Sequence, residues 1–283
     1  MARVRLDDEL VARGFFATKD DALRAVMAGK VSTSNRRFSS AAEKVTPGLE
    51  LHVRAHDAYV SRGGQKLAAA LDNFAVSPKD CSCLDIGCST GGFTDCLLRR
   101  GAAHVVAVDV GYAQFDWSLR NDPRVTLLER TNIIALADPA DPADTKRPAG
   151  ARFARYVHSF DLAVCDVSFT SIITIADAVA ALLRLDAEFI TLVKPQFEAA
   201  KEQVDAGGVV HDPAVWLDCL QRVSLQLSNR GFSLQNMCAS PLVGHKGNHE
   251  FLLHTTYVGI AALQAKPPKT LDFDRVIAQA RSD

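Results

Sequence analysis

The chain has 283 residues, of which 48% are hydrophobic and 23% are charged, and its formal net charge is −1. This balance is that of an ordinary globular protein, and it excludes a disordered chain, a collagen-like repeat or a coiled coil over the whole length. No apolar run reaches the roughly 18 residues that a membrane helix needs. The first residues, Met-Ala-Arg-Val-Arg, lead into acidic residues and not into an apolar stretch, which predicts a cytoplasmic protein without a signal peptide.

The seven cysteines are odd in number, and none forms a Cys-x-x-Cys pair. Cys81 and Cys83 stand two apart at the start of an apolar strand and would share one of its faces, so metal binding there is an alternative. Free cysteine usually packs as a small hydrophobic residue, and we therefore predict no metal site.

Residues 1–58 are predicted to form a small α+β domain. A first helical stripe precedes a second helix that begins after Thr18, a residue suited to capping it. Gly29 stands where a left-handed residue would end this second helix. Short strands are expected near Val31 and over residues 49–53.

Charge is distributed unevenly along the chain. Residues 1–66 hold 12 Lys+Arg against 8 Asp+Glu, a net of +4, and the remainder holds 20 against 25, a net of −5. A basic N-terminal region (the head) followed by an acidic remainder indicates a separate element that binds a polyanion. A basic surface that is only solvated is the alternative.

Residues 59–66 are predicted to be a linker, and residues 67–283 a second domain in which apolar strands alternate with amphipathic helices. The predicted strands cover residues 83–86, 105–108, 125–128, 162–165, 189–193, 232–238 and 249–257. This alternation indicates a parallel sheet with helices on both faces. The last two strands are joined by a loop too short for a crossover helix, so they should pair antiparallel. A seven-stranded, Rossmann-like α/β sheet with an antiparallel end is typical of many S-adenosylmethionine (SAM)-dependent methyltransferases.

A glycine-rich turn follows the first strand of this domain, with the sequence Leu-Asp-Ile-Gly-Cys-Ser-Thr-Gly-Gly-Phe-Thr at 84–94. Such turns hold nucleotides because backbone N–H groups become accessible, although a purely structural strand-to-helix turn is the alternative. Ser89 stands where a dinucleotide fingerprint needs its second glycine, which disfavours NAD and FAD. Asp109 ends the next strand, 17 residues after Gly92, where a carboxylate can accept ribose hydroxyls. The combination favours SAM as the cofactor.

Polar side chains stand at or just past the ends of five successive predicted strands. They are Asp85, Asp109, Asn132, Asp166 and Lys194. In an open α/β sheet, ligands bind at the carboxyl ends of the strands. We therefore expect these residues to border one site.

A second set, Lys66, Asp166, Lys194 and Glu250, is predicted to carry the chemistry. Methyl transfer to a ribose hydroxyl requires in-line alignment and the removal of a weakly acidic proton. A second ammonium group nearby, together with partial burial, favours a neutral amine that could take this proton. The two carboxylates would hold the lysines and orient the hydroxyl. Surface salt bridges are the alternative interpretation.

Motifs spread over nearly the whole chain resemble those of the TlyA family, also called hemolysin A, whose catalytic domain is of the FtsJ-like rRNA methyltransferase type. They are Tyr-Val-Ser-Arg-Gly-Gly-Gln-Lys at 59–66, Ser-Thr-Gly-Gly-Phe-Thr-Asp at 89–95, Ala-Val-Asp-Val-Gly-Tyr at 107–112, Trp-Ser-Leu-Arg-Asn-Asp-Pro-Arg-Val at 117–125, Glu-Arg-Thr-Asn at 129–132, Asp-Val-Ser-Phe at 166–169, Leu-Val-Lys-Pro-Gln-Phe-Glu at 192–198, Gly-Gly-Val-Val-His-Asp-Pro at 207–213 and Gly-Asn-His-Glu at 247–250. The resemblance implies an enzyme that uses SAM to methylate the ribose 2′-hydroxyl of a cytidine in ribosomal RNA. It places the family's catalytic Lys-Asp-Lys-Glu set on the four residues named above.

The same resemblance implies a cofactor pocket. Its expected residues are Asp85, Gly87, Ser89, Thr90, Gly91, Gly92, Phe93, Asp109, Glu129, Asn132 and Asp166.

The head resembles a small RNA-binding domain named after the fourth protein of the small ribosomal subunit. Its basic residues would dock on folded RNA through phosphate contacts. The candidate contacts are Arg3, Arg5, Arg13, Lys19, Arg24, Arg36, Arg37 and, in the predicted linker, Arg62. The expected partner is ribosomal RNA within ribosomal subunits, and we expect no metal, membrane or obligate protein partner.

Two other functions remain open from the sequence. A pore-forming cytolysin would fit the hemolysin label, but it needs export and a membrane-inserting segment. An RNA base methyltransferase would fit Lys194-Pro195-Gln196-Phe197, which resembles the proline-containing loop of adenine amino-methyltransferases. A lysine in the first place of that loop is a poor acceptor for an amino group, which disfavours this alternative.

Overall fold

A computed structural model describes residues 3–16, 18–53, 59–137, 154–265 and 269–281. The predicted end of the first domain at residue 58 falls just outside these ranges. The same is true, from residue 138 onward, of an Ala-, Asp- and Pro-rich stretch over 137–150 that the sequence predicts to be an exposed loop.

The chain divides into two compact units, residues 1–57 and 58–283. The sequence predicts a linker over 59–66, whereas a helix of the second unit already begins at Arg62. Most of the predicted linker, residues 62–66, therefore belongs to the start of this helix.

The first unit contains two helices and two short antiparallel strand pairs. Its elements are β1 (Val4–Arg5), α1 (Leu6–Ala12), α2 (Lys19–Met27), β2 (Val31–Ser32), β3 (Lys44–Val45) and β4 (His52–Val53), with β1 paired to β3 and β2 to β4. The side chain of Thr18 accepts a hydrogen bond from the N–H of Asp21, and Gly29 is left-handed with φ +67°, as predicted. β1 and β3 were not predicted, because two-residue strands show no periodicity.

The second unit is built on a seven-stranded sheet with helices on both faces. Its strands are β5 (Ser82–Ile86), β6 (His104–Val108), β7 (Val125–Leu128), β8 (Phe160–Cys165), β9 (Leu183–Val193), β10 (Phe232–Ala239) and β11 (Phe251–Tyr257). Its helices are α3 (Arg62–Phe74), α4 (Gly92–Arg99), α5 (Trp117–Arg120), α6 (Ile133–Ala137), α7 (Ile172–Leu182), α8 (Pro195–Glu198), α9 (Pro213–Ser228), α10 (Ile260–Ala265) and α11 (Phe273–Ala280).

The strand order is β10-β11-β9-β8-β5-β6-β7, with β5 to β9 parallel. β11 runs antiparallel to both β9 and β10. The predicted fold class, including its antiparallel end, is confirmed. The chain builds outward from β5 through β6 to β7 and then returns to β8 on the other side of β5. The order therefore reverses between β5 and β8, which is where open α/β sheets bind ligands.

Alternate residues of the central strands face two separate hydrophobic cores. On β5, Leu84 and Ile86 join one core and Cys83 joins the other. The first core is closed by α6, α7, α9 and α11, and the second by α3, α4 and α5. A sheet buried on both faces needs apolar residues at nearly every strand position, which is why the strands are continuous apolar runs.

All seven cysteines are free, and six are buried. Burial raises the pKa of the Cys96 thiol to about 11, so this sulfur packs as an apolar atom. The described residues contain no group of three or more His, Cys, Asp or Glu side chains that could hold a metal ion. Within the same part of the chain, no helix has the length and apolar character to cross a lipid bilayer.

Candidate active site

The turn after β5 lies at the point where the strand order reverses. Gly87 follows β5 with φ +78°, and a Cβ atom there would come within 2.9 Å of the Asp166 carbonyl oxygen. Asp166 follows β8, so the absent side chain lets the ends of the two strands approach each other. Ser89 is also left-handed, with φ +47°, and the turn then leads into α4.

A cavity of about 590 Å³ opens at this edge of the sheet. Nine of the residues predicted to be catalytic or to bind the cofactor line it: Lys66, Gly87, Ser89, Thr90, Gly92, Phe93, Asp166, Lys194 and Glu250. The four residues of the predicted catalytic set, which come from α3 and from the edges of β8, β9 and β11, therefore share one cavity.

Lys66 and Glu250 form a buried ion pair across the cavity wall. The ammonium nitrogen of Lys66 lies 2.5 Å from Glu250 Oε2, and the side chains are 9% and 5% exposed. Gly244 contacts the same carboxylate, because a Cβ at Gly244 would overlap Glu250 Oε1. The pair is thus held in one position from both sides.

Lys194 forms the second ion pair, with its ammonium nitrogen 2.6 Å from Asp166 Oδ1. It also donates to the carbonyl oxygen of Val167 at 2.9 Å and to Ser168 Oγ at 3.1 Å. A lysine ammonium group has three N–H donors. Two of them donate to Val167 and Ser168, whereas the contact with Asp166 is an ion pair only, because Asp166 Oδ1 has no hydrogen-bond partner among the described residues.

A close backbone contact brings Lys66 to the cavity. Gly64 lies in the first turn of α3, where a Cβ would stand 2.8 Å from the carbonyl oxygen of Gly92 and would overlap the ring of Tyr59. Gly92 begins α4. The start of α3 can therefore lie directly against the start of α4, which positions Lys66 one half-turn further on.

A small recess adjoins the main cavity and contains Asp109 and Glu129. Cys88 and Ser89 line both spaces. The carboxylate of Asp109 accepts the N–H groups of Ser89 and Gly111, each at 2.7 Å. These two bonds fix the carboxylate at the rim and leave further lone pairs free to accept ligand hydroxyls.

Three residues predicted to bind the cofactor lie away from the cavity surface. Asp85 is fully buried and accepts a 2.6 Å hydrogen bond from Thr94 Oγ1. Gly91 faces the side chains of Leu119 and Phe115. Asn132 is exposed and accepts the N–H of Ile134 at the start of α6. None of these three residues lines the cavity or the adjoining recess.

Burial raises the pKa of Asp85 to about 7, and the hydrogen bond from Thr94 only partly opposes this shift. One carboxylate oxygen, Oδ1, is buried without a hydrogen-bond partner among the described residues. An ionised carboxylate in such surroundings is costly, so Asp85 is readily protonated near neutral pH.

Most of the basic residues predicted to contact RNA form ion pairs within the first unit. The pairs are Arg5–Asp7, Arg13–Glu9, Lys19–Asp8, Arg24–Asp21 and Arg36–Glu43. For Arg3 and Arg37, no ion pair with a described carboxylate is found. Arg62, in the second unit, donates to the carbonyl oxygen of Val243 at 2.8 Å and lines the cavity.

Several cavity residues were not predicted, among them Ser61, Ser168, Phe169, Gln196, Phe197, Lys246 and Asn248. Phe169 is 92% exposed and left-handed with φ +64°, a rare backbone conformation for an aromatic residue. Its ring lies 5.3 Å from that of Phe197. Both belong to motifs identified in the sequence, at 166–169 and 192–198. Their closeness along the chain to Asp166 and Lys194 could therefore have predicted that they line the site.

Comparison with known proteins covers both units. Residues 59–257 match the model of the FtsJ-like methyltransferase family. A Mycobacterium tuberculosis protein named 16S/23S rRNA (cytidine-2′-O)-methyltransferase TlyA is 43% identical over 266 residues, which is 93% of this chain and 94% of that protein. Hemolysin A of Brachyspira hyodysenteriae is 36% identical over 251 residues, 89% and 99% of the two chains. A solved structure of a Streptococcus thermophilus protein named after hemolysins is 36% identical, with a TM-score of 0.70 and coverage of 100% and 97%.

Proposed function

The chain belongs to the FtsJ-like methyltransferase family, and on that premise we propose that it transfers a methyl group from SAM to the ribose 2′-hydroxyl of a cytidine in ribosomal RNA. The substrate class is that in the name of the Mycobacterium tuberculosis relative. The observation that carries the proposal is the pair of buried lysine–carboxylate contacts in one cavity beside the glycine-rich turn. A ribosomal substrate also supports the cytoplasmic location expected from the sequence.

The residues present fit SAM. The left-handed turn at Gly87 and Ser89 lines the cavity, and the fixed carboxylate of Asp109 stands at the rim of the adjoining recess. Asp109 and Glu129 would hold the ribose of SAM and the groups next to it, and the 87–93 turn would hold the amino-acid part of SAM. When bound, SAM supplies a methyl group on a positively charged sulfur, which is already reactive toward an oxygen nucleophile.

The lysines and carboxylates supply what that reaction still needs. As the neutral amine, Lys194, held beside Asp166, would accept a hydrogen bond from the 2′-hydroxyl in place of its contact with Ser168, and would take the hydroxyl proton as the oxygen gains the methyl group and the methyl–sulfur bond breaks. Asp166 then stabilises the resulting ammonium group. Lys66 makes one strong contact, with Glu250, and its remaining N–H donors can orient the ribose or its phosphate. The side chains of Lys66 and Lys194 are only 9% and 8% exposed, and this low exposure strengthens their contacts with the carboxylates.

The test is methylation of ribosomal subunits by the purified protein with methyl-labelled SAM, followed by digestion of the rRNA and mass spectrometry of the nucleosides. We expect 2′-O-methylcytidine, and we expect the same nucleoside to be missing from rRNA of cells that lack the protein. Methyl groups on a base, or no incorporation into any rRNA, would contradict the proposal. Release of vesicle contents without SAM would support the alternative of a cytolysin.

Two variants test the assigned roles. Lys194→Ala should lower the transfer rate by about 10² to 10⁴-fold while SAM binding, measured by calorimetry, is retained. Asp109→Ala should mainly weaken SAM binding. Glu202→Ala, an exposed acidic residue outside the cavity, is the matched control and should change neither quantity.

A further inference from the structure

Gln196 is a polar residue of the cavity that the proposed mechanism does not use. It is the second residue of α8, two positions after Lys194, and lines the same cavity. Its Oε1 atom is buried and has no hydrogen-bond partner among the described residues. Buried carbonyl acceptors are nearly always paired, so this one needs an explanation.

The two lysines of the cavity, in contrast, already have partners in its wall. Lys66 contacts Glu250, and Lys194 contacts Asp166, Val167 and Ser168. No hydrogen bond to a described residue holds the carboxamide of Gln196. It can therefore turn toward the cavity without breaking a bond, and it gains a partner if a ligand offers a donor there.

The position of Gln196 relates to the chemistry of the substrate. The nucleobase is attached to the ribose carbon next to the one that bears the 2′-hydroxyl. If Lys194 binds that hydroxyl, the base lies within reach of residues beside Lys194. Phe169 and Phe197, whose rings lie 5.3 Å apart at the cavity, offer aromatic surface to a base, as is common where single bases are bound. A carboxamide beside them can bind the polar edge.

We propose that Gln196 binds the polar edge of the target cytosine, with Oε1 accepting a hydrogen bond from the 4-amino group. This inference rests on the proposed function. The Nε2 donors would then face the neighbouring ring nitrogen, which in cytosine is an acceptor. Gln196 is thus assigned as a positioning residue that holds the nucleotide while Lys194 acts on its hydroxyl.

The experiment removes the amino group from the substrate and the carboxamide from the protein. A carboxamide that rotates by 180° can also pair with uracil. Removal of the amino group from cytosine therefore tests the hydrogen bond more directly than replacement of cytosine by uracil. Ribosomal subunits are prepared with either cytidine or 4-deaminocytidine (the riboside of 2-pyrimidinone) at the target position found by mass spectrometry. The kcat/KM for methylation is measured with the full-length wild type, with Gln196→Met and with Gln196→Glu.

For the wild type, we expect kcat/KM to fall about tenfold when the amino group is removed, as for the loss of one good hydrogen bond. Gln196→Met should be about tenfold slower on cytidine and insensitive to the amino group. Gln196→Glu keeps an acceptor and should keep the sensitivity. SAM affinity should be unchanged in both variants. Gln221→Met, an exposed position on α9, is the matched control and should behave as the wild type.

If the wild type had equal rates on the two substrates, the inference would be overturned without any variant. It would also be overturned if the kcat/KM of Gln196→Met fell by the full tenfold when the amino group was removed. In either case cytidine methylation itself would remain, so the proposed function would stand. Absence of methylation by the wild type on the cytidine substrate would contradict both.

Discussion

Lys66 and Glu250 lie 2.5 Å apart in the buried wall of the cavity, although 184 positions separate them in the chain. Glu250→Ala would leave a buried ammonium group without its counter-charge, and we expect a loss of about 3 kcal/mol in the free energy of unfolding. The double variant Lys66→Met with Glu250→Leu should lose less than Glu250→Ala alone, because it removes both charges. Urea denaturation measures these differences.

The control for this pair is Asp72→Ala. Asp72 also forms an ion pair, with Arg100, but its side chain is 67% exposed and should contribute little. Equal stabilities of the Glu250→Ala variant and the wild type would mean that the buried pair is not formed in solution.

The contact between Gly64 and Gly92 predicts a difference between two adjacent glycines. Gly64→Ala would force the start of α3 away from α4, and we expect a loss of about 1 to 3 kcal/mol in stability together with reduced activity. At Gly63, a Cβ would meet Phe93 Cδ1 at an ordinary 3.5 Å, so Gly63→Ala should be neutral or stabilising by up to about 1 kcal/mol. Thermal unfolding of both variants checks the prediction, and it fails if the two substitutions have equal effects.

The buried carboxyl of Asp85 predicts a pH dependence of stability. Burial raises its pKa in the folded chain to about 7, from an ordinary value of 3.8, so the folded state binds the proton more tightly than the unfolded state. The contribution of this group to stability is therefore full below about pH 4, is lost as the pH rises toward about 7, and is constant above it.

Asp85→Asn removes this titration while it preserves the shape of the side chain. The stability of the variant relative to the wild type should increase between pH 4 and pH 8 by on the order of 2 to 4 kcal/mol. Denaturation at a series of pH values measures the difference. Parallel curves for the two proteins would show that Asp85 does not titrate in this range.

The ion pairs of the first unit predict that its basic residues contribute unequally to RNA binding. For Arg37 no ion pair with a described carboxylate is found, whereas Arg24 lies 2.7 Å from Asp21. Arg37→Ala should therefore weaken binding to ribosomal subunits by about three- to tenfold and reduce the slope of log K against log salt by about one. Arg24→Ala should have a smaller effect, and filter binding at several salt concentrations compares them. Equal losses would indicate that Arg24 exchanges its carboxylate for phosphate without cost.

The strands and the edge of the sheet that carries the site could be predicted from the sequence. Residues 105–108, for example, are uniformly apolar because β6 is buried on both faces, and Asp109 follows where that burial ends. Such patterns are local, since each depends only on where one segment enters and leaves the core. The family motifs added the expectation that Lys66, Asp166, Lys194 and Glu250 act together.

Tertiary structure alone decided how these groups are paired and which of them face the cavity. Lys66 pairs with Glu250 and Lys194 with Asp166, while Asp85, in the same turn region, is enclosed beneath the cavity surface. Pairing and burial depend on distances between segments far apart in the chain, and those distances are set by packing, as at Gly64 and Gly92, where two helix starts meet. A residue's type and spacing identify a polar group at the edge of a sheet, but the direction of its side chain is decided by the neighbours that the fold brings to it.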